Sequence, residues 1–186
     1  MNYNELAQRA HSNAVEHGFW NDKLSNEHCL MLIITEIAEM VEADRNNHMA
    51  DVKQYKEDAN PTGYFSRFGK KGFKEAFENN IKNSLEDEFA DVAIRLCDLS
   101  GALGIDFDKM QPCRYYRAYD RFSFTENAFA LCKGLSKENI AIAKRIQFGL
   151  QYIENWAKAL DVDIDTFISM KMTYNISRQA KHGKKY

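Results

Sequence analysis

The chain has 186 residues, of which 28% are charged, and its formal net charge is −2. This length accommodates one domain with a full core, and the charge gives no global electrostatic case for a nucleic-acid or anionic-membrane partner. The amino terminus lacks a basic segment followed by an apolar one, and no run of about 18 apolar residues occurs. We therefore expect a soluble, cytoplasmic protein with no nucleic-acid and no membrane partner.

The fold class follows from long helical periodicities. Only two prolines and nine glycines interrupt the chain, and no alternating apolar and polar runs typical of strands are evident. The sequence therefore predicts an all-α helical bundle.

The first helix is predicted over about residues 3 to 17, with Gly18 as its terminator. His17, Phe19 and Trp20 lie at the end of this helix, where an aromatic ring can stack on a nucleobase. The alternative is that Trp20 simply packs in the core, and both interpretations stay open.

A second helix is predicted from a Ser25 cap to about Ala43. With about 100° of rotation per residue, one arc of this helix collects its apolar side chains, namely Ile33, Ile37, Met40 and Val41. Glu36 and Glu39 lie together along one margin of the arc, whereas Glu42 points toward solvent. The first acidic pair therefore borders a buried stripe.

The next segment, residues 46 to 71, is polar and contains the turn sequence Asn60-Pro61-Thr62-Gly63. Aromatic residues follow, interleaved with basic ones: Tyr64, Phe65, Arg67, Phe68, Lys70, Lys71 and Phe73. This group can cover a nucleotide or pack as a loop against the bundle.

A long helical run is predicted over about residues 73 to 103, with a break near Asn79-Asn80. Glu88 and Asp91 border an apolar arc made of Leu85, Phe89, Val92 and Leu96. This second acidic pair lies at the same angular position relative to its apolar arc as the first pair does.

The two acidic pairs together predict a metal site. Carboxylates three residues apart on a helix repel one another, and a hard divalent cation such as Mg²⁺, which prefers oxygen ligands, offsets that repulsion. The alternative for either pair alone is a solvated face. A ferritin-type di-iron site would require Glu-x-x-His on two helices, and the sequence has none.

Between the second acidic pair and the last helix, Gly104 and Asp106 predict a turn and a new helix start, and shorter helices are predicted from about residue 110 to 135. Ser136 is predicted to cap a helix reaching about Leu160. The sequence around Gly104 resembles that around Asp161. This similarity indicates a repeated helix-end turn, or it is a coincidence.

Four cysteines show no C-x-x-C pair and no histidines at zinc-ligand spacing, so we expect neither a disulfide nor a zinc site. Cys29 and Cys97 fall within apolar helical stretches. We interpret both as core residues.

The last helix is predicted to begin at Asp163 or Asp165, and it places Lys171, Asn175 and Arg178 on one face. Such side chains can donate hydrogen bonds to the phosphate oxygens of a triphosphate. The alternative is a solvated helix with a basic tail that complements the helix dipole.

These segments resemble the MazG-like all-α nucleoside triphosphate pyrophosphohydrolases, a superfamily that includes dCTP pyrophosphatases and dimeric dUTPases. The resemblance rests on three stretches, TEIAEMVEA at 35–43, EDEFADV at 86–92 and KMTYN at 171–175 with Arg178. It implies that Mg²⁺, for which Mn²⁺ can substitute, is held by four catalytic acids: Glu36, Glu39, Glu88 and Asp91. It further implies phosphate contacts from Lys171, Asn175 and Arg178.

The implied activity is hydrolysis of a nucleoside triphosphate to the monophosphate and pyrophosphate, with one glutamate aligning the attacking water. A homodimer or dimer of dimers is also implied. Residues 109 to 158 exceed the compact family pattern and are interpreted as a helical insertion in a single domain of residues 1 to 186. The alternative function is a non-catalytic helical protein that senses nucleotides or binds partners and keeps the acidic site.

Overall fold

The computed structural model describes residues 1–59, 70–113 and 115–183. The turn predicted at residues 60 to 63 and most of the aromatic and basic segment that follows lie outside the described residues, as do Lys184 and Lys185. The described residues contain helices and no strands, which confirms the all-α prediction. None of the described helices combines the length and the apolar character that crossing a bilayer requires.

Eight α-helices are described. In chain order they are α1 (Tyr3–Glu16), α2 (Asn26–Arg45), α3 (Val52–Asp58), α4 (Lys70–Asn80), α5 (Leu85–Ala102), α6 (Phe124–Leu135), α7 (Ile142–Ala159) and α8 (Ile164–Ile176). Short 3₁₀ turns lie at Phe107–Lys109, Tyr119–Arg121 and Ala180–Gly183.

Helix starts follow local capping chemistry. The Ser25 side chain accepts a hydrogen bond from the His28 amide at the start of α2, as predicted, and Ser84 does the same for the Asp87 amide at the start of α5. Gly18 follows α1 with a φ of 78°, a left-handed conformation that favours glycine.

The predicted cap at Ser136 is wrong. Ser136 instead ends α6, where its hydroxyl donates to the Cys132 carbonyl at 2.8 Å, and α7 begins only at Ile142. Serine suits either end of a helix, and a turn closed by the Ile140 amide on the Lys137 carbonyl separates the two helices. The apolar stripe of α7 therefore starts later than the sequence pattern indicates.

The resemblance between the Gly104 and Asp161 regions is a repeated helix-end turn. Gly104 has a φ of 61° and Asp161 a φ of 59°. The amide of the following residue bonds back to Ser100 in one case and to Ala157 in the other. Asp163 then caps α8 by accepting from the Thr166 amide, as predicted.

Helix α5 is the central element, packed against α1, α2, α7 and α8. Its buried residues include Phe89 and Cys97, and the ring centroid of Phe89 lies 5.2 Å from that of Trp156 on α7. Cys29 is also buried, so both cysteines interpreted as core residues are in the core. The apolar faces of the surrounding helices pack on the other sides of α5. Its acidic margin, formed by Glu88 and Asp91, therefore faces α2 and α8.

Candidate active site

Three of the four predicted metal-binding acids come together. Glu36 on α2 and Glu88 and Asp91 on α5 each contribute a carboxylate oxygen, and these oxygens all lie within 4.8 Å of one another. The apolar arcs of α2 and α5 pack against each other, so the acids at their margins meet at the edge of the core. Glu36 and Glu88 are each only 3% exposed.

Glu39 is the exception to the predicted four-carboxylate cluster. Its side chain is exposed and lines the same cavity as the other three acids, but it contributes no oxygen to the group of described residues that converge. Glu39 therefore lies at the rim of the site, and the converging set consists of three carboxylates.

Two cations compensate part of the negative charge. Arg95 forms a salt bridge with Glu36. The Lys171 ammonium lies 2.6 Å from Asp91 Oδ2 and 2.7 Å from Asp87 Oδ2, and both Lys171 and Asp87 are buried. Asp87 was not predicted from the sequence. Its carboxylate holds the Lys171 ammonium group in position next to the cavity.

Glu88 has a strongly perturbed carboxyl group. Burial, with added repulsion from Asp91, raises its pKa to about 8, although Lys171 opposes the shift. One of its oxygens, Oε2, is buried without a hydrogen-bond partner among the described residues. Burial also raises the pKa of Asp87 to about 6 against the lowering effect of Lys171. Both shifts arise chiefly from desolvation, so these buried carboxyls favour their neutral forms unless a cation lies close to them.

The acids open into a cavity of about 340 Å³ between α1, α2, α5 and α8. This volume lies within the range, about 300–1,000 Å³, that is typical of small-molecule sites. Two asparagines that line it carry buried amide atoms without partners among the described residues, Nδ2 of Asn13 and Oδ1 of Asn175. Buried polar atoms are normally hydrogen-bonded, so these two atoms are available to a polar ligand or to water.

Lys171, Asn175 and Arg178 all line the cavity. Only Lys171 and Asn175 share a face of α8, because the helix ends at Ile176 and Arg178 follows it. Lys171 and Asn175 are 4% and 6% exposed, so the alternative of a fully solvated helix is wrong for this face. The Arg178 guanidinium lies 5.6 Å from the centre of the Tyr174 ring, which holds it near the cavity mouth.

Trp20 also lines the cavity, together with Phe19. The Trp20 indole donates to Asp98 Oδ1 at 2.9 Å, and the His11 ring packs edge-on against the indole at 5.2 Å. His17 is not among the lining residues. Its Nε2 instead bonds the Arg178 carbonyl at 3.1 Å and ties the end of α1 to the residues after α8.

Sequence reasoning missed five residues of the site: His11, Asn13, Asp87, Arg95 and Asp98. A signal for two of them was present, since Glu88, Asp91, Arg95 and Asp98 follow one another at intervals of three, four and three on α5. The same helix face, followed for two further turns beyond Asp91, contains Arg95 and Asp98.

Comparison of the chain with protein-family models, with curated proteins and with solved structures found no match. The MazG-like resemblance therefore stays a prediction that rests on the residues quoted above.

Proposed function

We propose that the chain is a Mg²⁺-dependent nucleoside triphosphate pyrophosphohydrolase, which converts a (deoxy)nucleoside triphosphate and water to the monophosphate and pyrophosphate. The observation that carries the proposal is the convergence of Glu36, Glu88 and Asp91 beside buried Lys171 and Asn175 in one cavity. This activity is the one that the MazG-like resemblance implies.

The donor set fits a hard divalent cation. It offers only carboxylate oxygens, and the unpartnered Oε2 of Glu88 supplies a buried site for a positive charge. Glu36, Glu88 and Asp91 would hold Mg²⁺ or Mn²⁺, with Glu39 lining the same cavity outside this group. Bound there, the cation would neutralise phosphate charge, orient the scissile group and lower the pKa of a water ligand.

Side chains of the protein itself bind the substrate and accept the proton. Lys171, Asn175 and Arg178 bind phosphate oxygens and stabilise charge that develops as the bond from the α-phosphorus to the bridging oxygen breaks. The water oxygen forms the new bond to the α-phosphorus, and its proton passes to a glutamate of the site. Trp20 stacks on the base at the other end of the cavity.

A second candidate function is a nucleotide sensor that binds without turnover. The observation that favours it is the pairing of Lys171 with Asp91 and of Arg95 with Glu36, which already satisfies two of the three acids without a metal ion. In such a protein the same cavity would hold the nucleotide, but the acids would serve only to position the cations.

We further propose a cytoplasmic homodimer or dimer of dimers. Supporting this, Met31 on α2 and Phe129 on α6 are 54% and 70% exposed, and these two helices pack side by side. Contiguous exposed apolar patches mark association surfaces, and Met31 and Phe129 are the large exposed apolar side chains that α2 and α6 would contribute to one.

The test is pyrophosphate release from a panel of canonical and modified triphosphates with Mg²⁺. Asp91→Asn and Glu39→Gln are compared with Glu42→Gln, a matched control on the outer face of α2. We expect turnover by the wild type, loss of about a hundredfold or more in Asp91→Asn, and normal activity in Glu42→Gln. Tight binding without turnover would establish the sensor instead, and absence of both binding and turnover would overturn both functions.

A further inference from the structure

The cavity has a second polar end, away from the three converging acids. Asp98 lies on the same face of α5 as Asp91, seven residues further along, which is about 10 Å at the rise of an α-helix. Both line the cavity. A ligand with phosphates at Asp91 therefore extends toward Asp98 and Trp20.

Asp98 is held in a defined orientation. Its Oδ1 accepts from the Trp20 indole and from His11 Nδ1, each at 2.9 Å. None of the described residues hydrogen-bonds the other oxygen, Oδ2. The side chain is 21% exposed, which leaves that oxygen reachable from the cavity. Asp98 therefore presents one fixed acceptor beside the aromatic ring of Trp20.

A complementary donor lies on α1. The side-chain amide of Asn13 lines the cavity, and its buried Nδ2 has no partner among the described residues. The wall of this cavity thus offers an acceptor from α5, beside Trp20, and an unpartnered donor from α1. This pair complements a ring edge that offers an amino donor next to a ring-nitrogen acceptor.

We propose that this end of the cavity selects nucleobases that carry an exocyclic amino group next to a ring-nitrogen acceptor, as cytosine and adenine do. Asp98 Oδ2 accepts from the amino group, and Asn13 Nδ2 donates to the adjacent ring nitrogen. Carboxylates are the side chains that accept from the amino group of cytosine in base recognition. An oxo group at the same position would set two acceptors against each other, which a buried site penalises strongly. The inference rests on the proposed function and names its substrate class.

Asp98→Asn gives a directional test. In the variant, the amide oxygen must take the position of Asp98 Oδ1, which accepts from Trp20 and His11. An NH₂ group in that position would face two N–H groups. The amide nitrogen then takes the position of Oδ2 and offers a donor to the base. The new donor matches an oxo group but opposes an amino group, whereas Asn13 Nδ2 still matches only the unprotonated ring nitrogen of an amino base. The variant should therefore lose the preference for amino bases, while the contacts to Trp20 and His11 are retained.

The experiment compares kcat/KM for two pairs of triphosphates that differ in one amino or oxo group, dCTP with dUTP and dATP with dITP. We expect the wild type to prefer the amino member by on the order of tenfold to a hundredfold, and Asp98→Asn to abolish that preference. Asp161→Asn, an exposed change of the same charge outside the cavity, should keep the wild-type ratio.

A wild-type ratio near one, or an unchanged ratio in a folded Asp98→Asn variant, would overturn the inference while leaving the proposed function intact. The ratio is informative because a merely structural role of Asp98 would lower activity on both members of a pair equally. If Asp98→Asn does not fold, the wild-type ratios on the two pairs decide the question alone. A chain that neither binds nor hydrolyses any of the four triphosphates would overturn the proposed function and this inference with it.

Discussion

Lys171 Nζ lies 2.6 Å from Asp91 Oδ2, so a side chain proposed to bind phosphate is ion-paired with one proposed to bind metal. Lys171 also keeps a second partner, Asp87, at 2.7 Å. A cation that takes Asp91 would therefore leave Lys171 anchored by Asp87 and free one of its donors for the ligand. The arrangement couples the metal and phosphate subsites through a single ammonium group.

Removing the Lys171 charge should destabilise the fold. Lys171→Met leaves the buried Asp87 carboxylate without a cation, and breaking a buried pair in this way costs about 3–5 kcal/mol. Urea unfolding measures the loss, and Lys158→Met, an exposed lysine on α7, should change the free energy of unfolding by less than about 0.5 kcal/mol. The double variant Lys171→Met/Asp87→Leu should recover much of the loss. Equal stability of the single and double variants would show that Asp87 is not the destabilising charge.

The stability of the metal-free protein should depend on pH through Glu88. Its pKa is raised from 4.5 to about 8 on folding, so its contribution to stability is fully present below pH 4.5 and is lost as the pH rises to about 8. We expect the free energy of unfolding to fall over this window by on the order of 5 kcal/mol more in the wild type than in Glu88→Gln. The measurement is chemical unfolding in chelator at several pH values, with Glu42→Gln, an exposed glutamate on α2, as the charge-matched control. Parallel curves for wild type and Glu88→Gln would contradict the prediction.

Mg²⁺ should stabilise the folded protein, because the unfolded chain lacks the assembled site. At about a hundred times the dissociation constant, one bound ion adds about 2.7 kcal/mol to the free energy of unfolding. Calorimetric titration and thermal unfolding with Mg²⁺ or Mn²⁺ check this. Asp91→Asn should lose most of the affinity, and Glu39→Gln should lose less because Glu39 lies outside the converging cluster. Asp161→Asn serves as the charge-matched control. A larger effect of Glu39→Gln than of Asp91→Asn would place the metal at the rim of the cavity instead.

Helical periodicity was sufficient to predict the fold class and the placement of Glu36, Glu88 and Asp91, because the buried arcs of α2 and α5 depend on local spacing. The position of Glu39 was not predictable in the same way. A residue at the margin of an apolar arc turns inward or outward according to how the helix is rotated against its neighbours, which is a tertiary property.

Burial of Asp87 likewise depends on α8, which covers that side of α5 and supplies Lys171 from 84 positions away in the chain. The contact of His11 with Asp98 spans 87 positions. Such long-range pairs have no signature in the spacing of a single sequence. The incorrect cap at Ser136 has another cause, since serine satisfies free amides at the start of a helix and also bonds carbonyls at its end.

The placement of α1 against the site depends on Gly101. A Cβ atom at this position would lie 2.7 Å from the Ala7 carbonyl oxygen and 2.6 Å from His11 Cβ, so α1 and α5 approach as closely as they do only because residue 101 has no side chain. Gly101→Ala should therefore push α1 away and destabilise the fold by about 1–3 kcal/mol. Gly72→Ala is the matched control, since nothing lies within 4 Å of its added Cβ and alanine favours the helix. Because α1 carries His11 and Asn13, nucleotide affinity should fall in Gly101→Ala along with stability, as measured by calorimetric titration at a temperature where the variant remains folded. Unchanged stability and affinity would show that α1 tolerates a wider spacing and that the cavity does not depend on this contact.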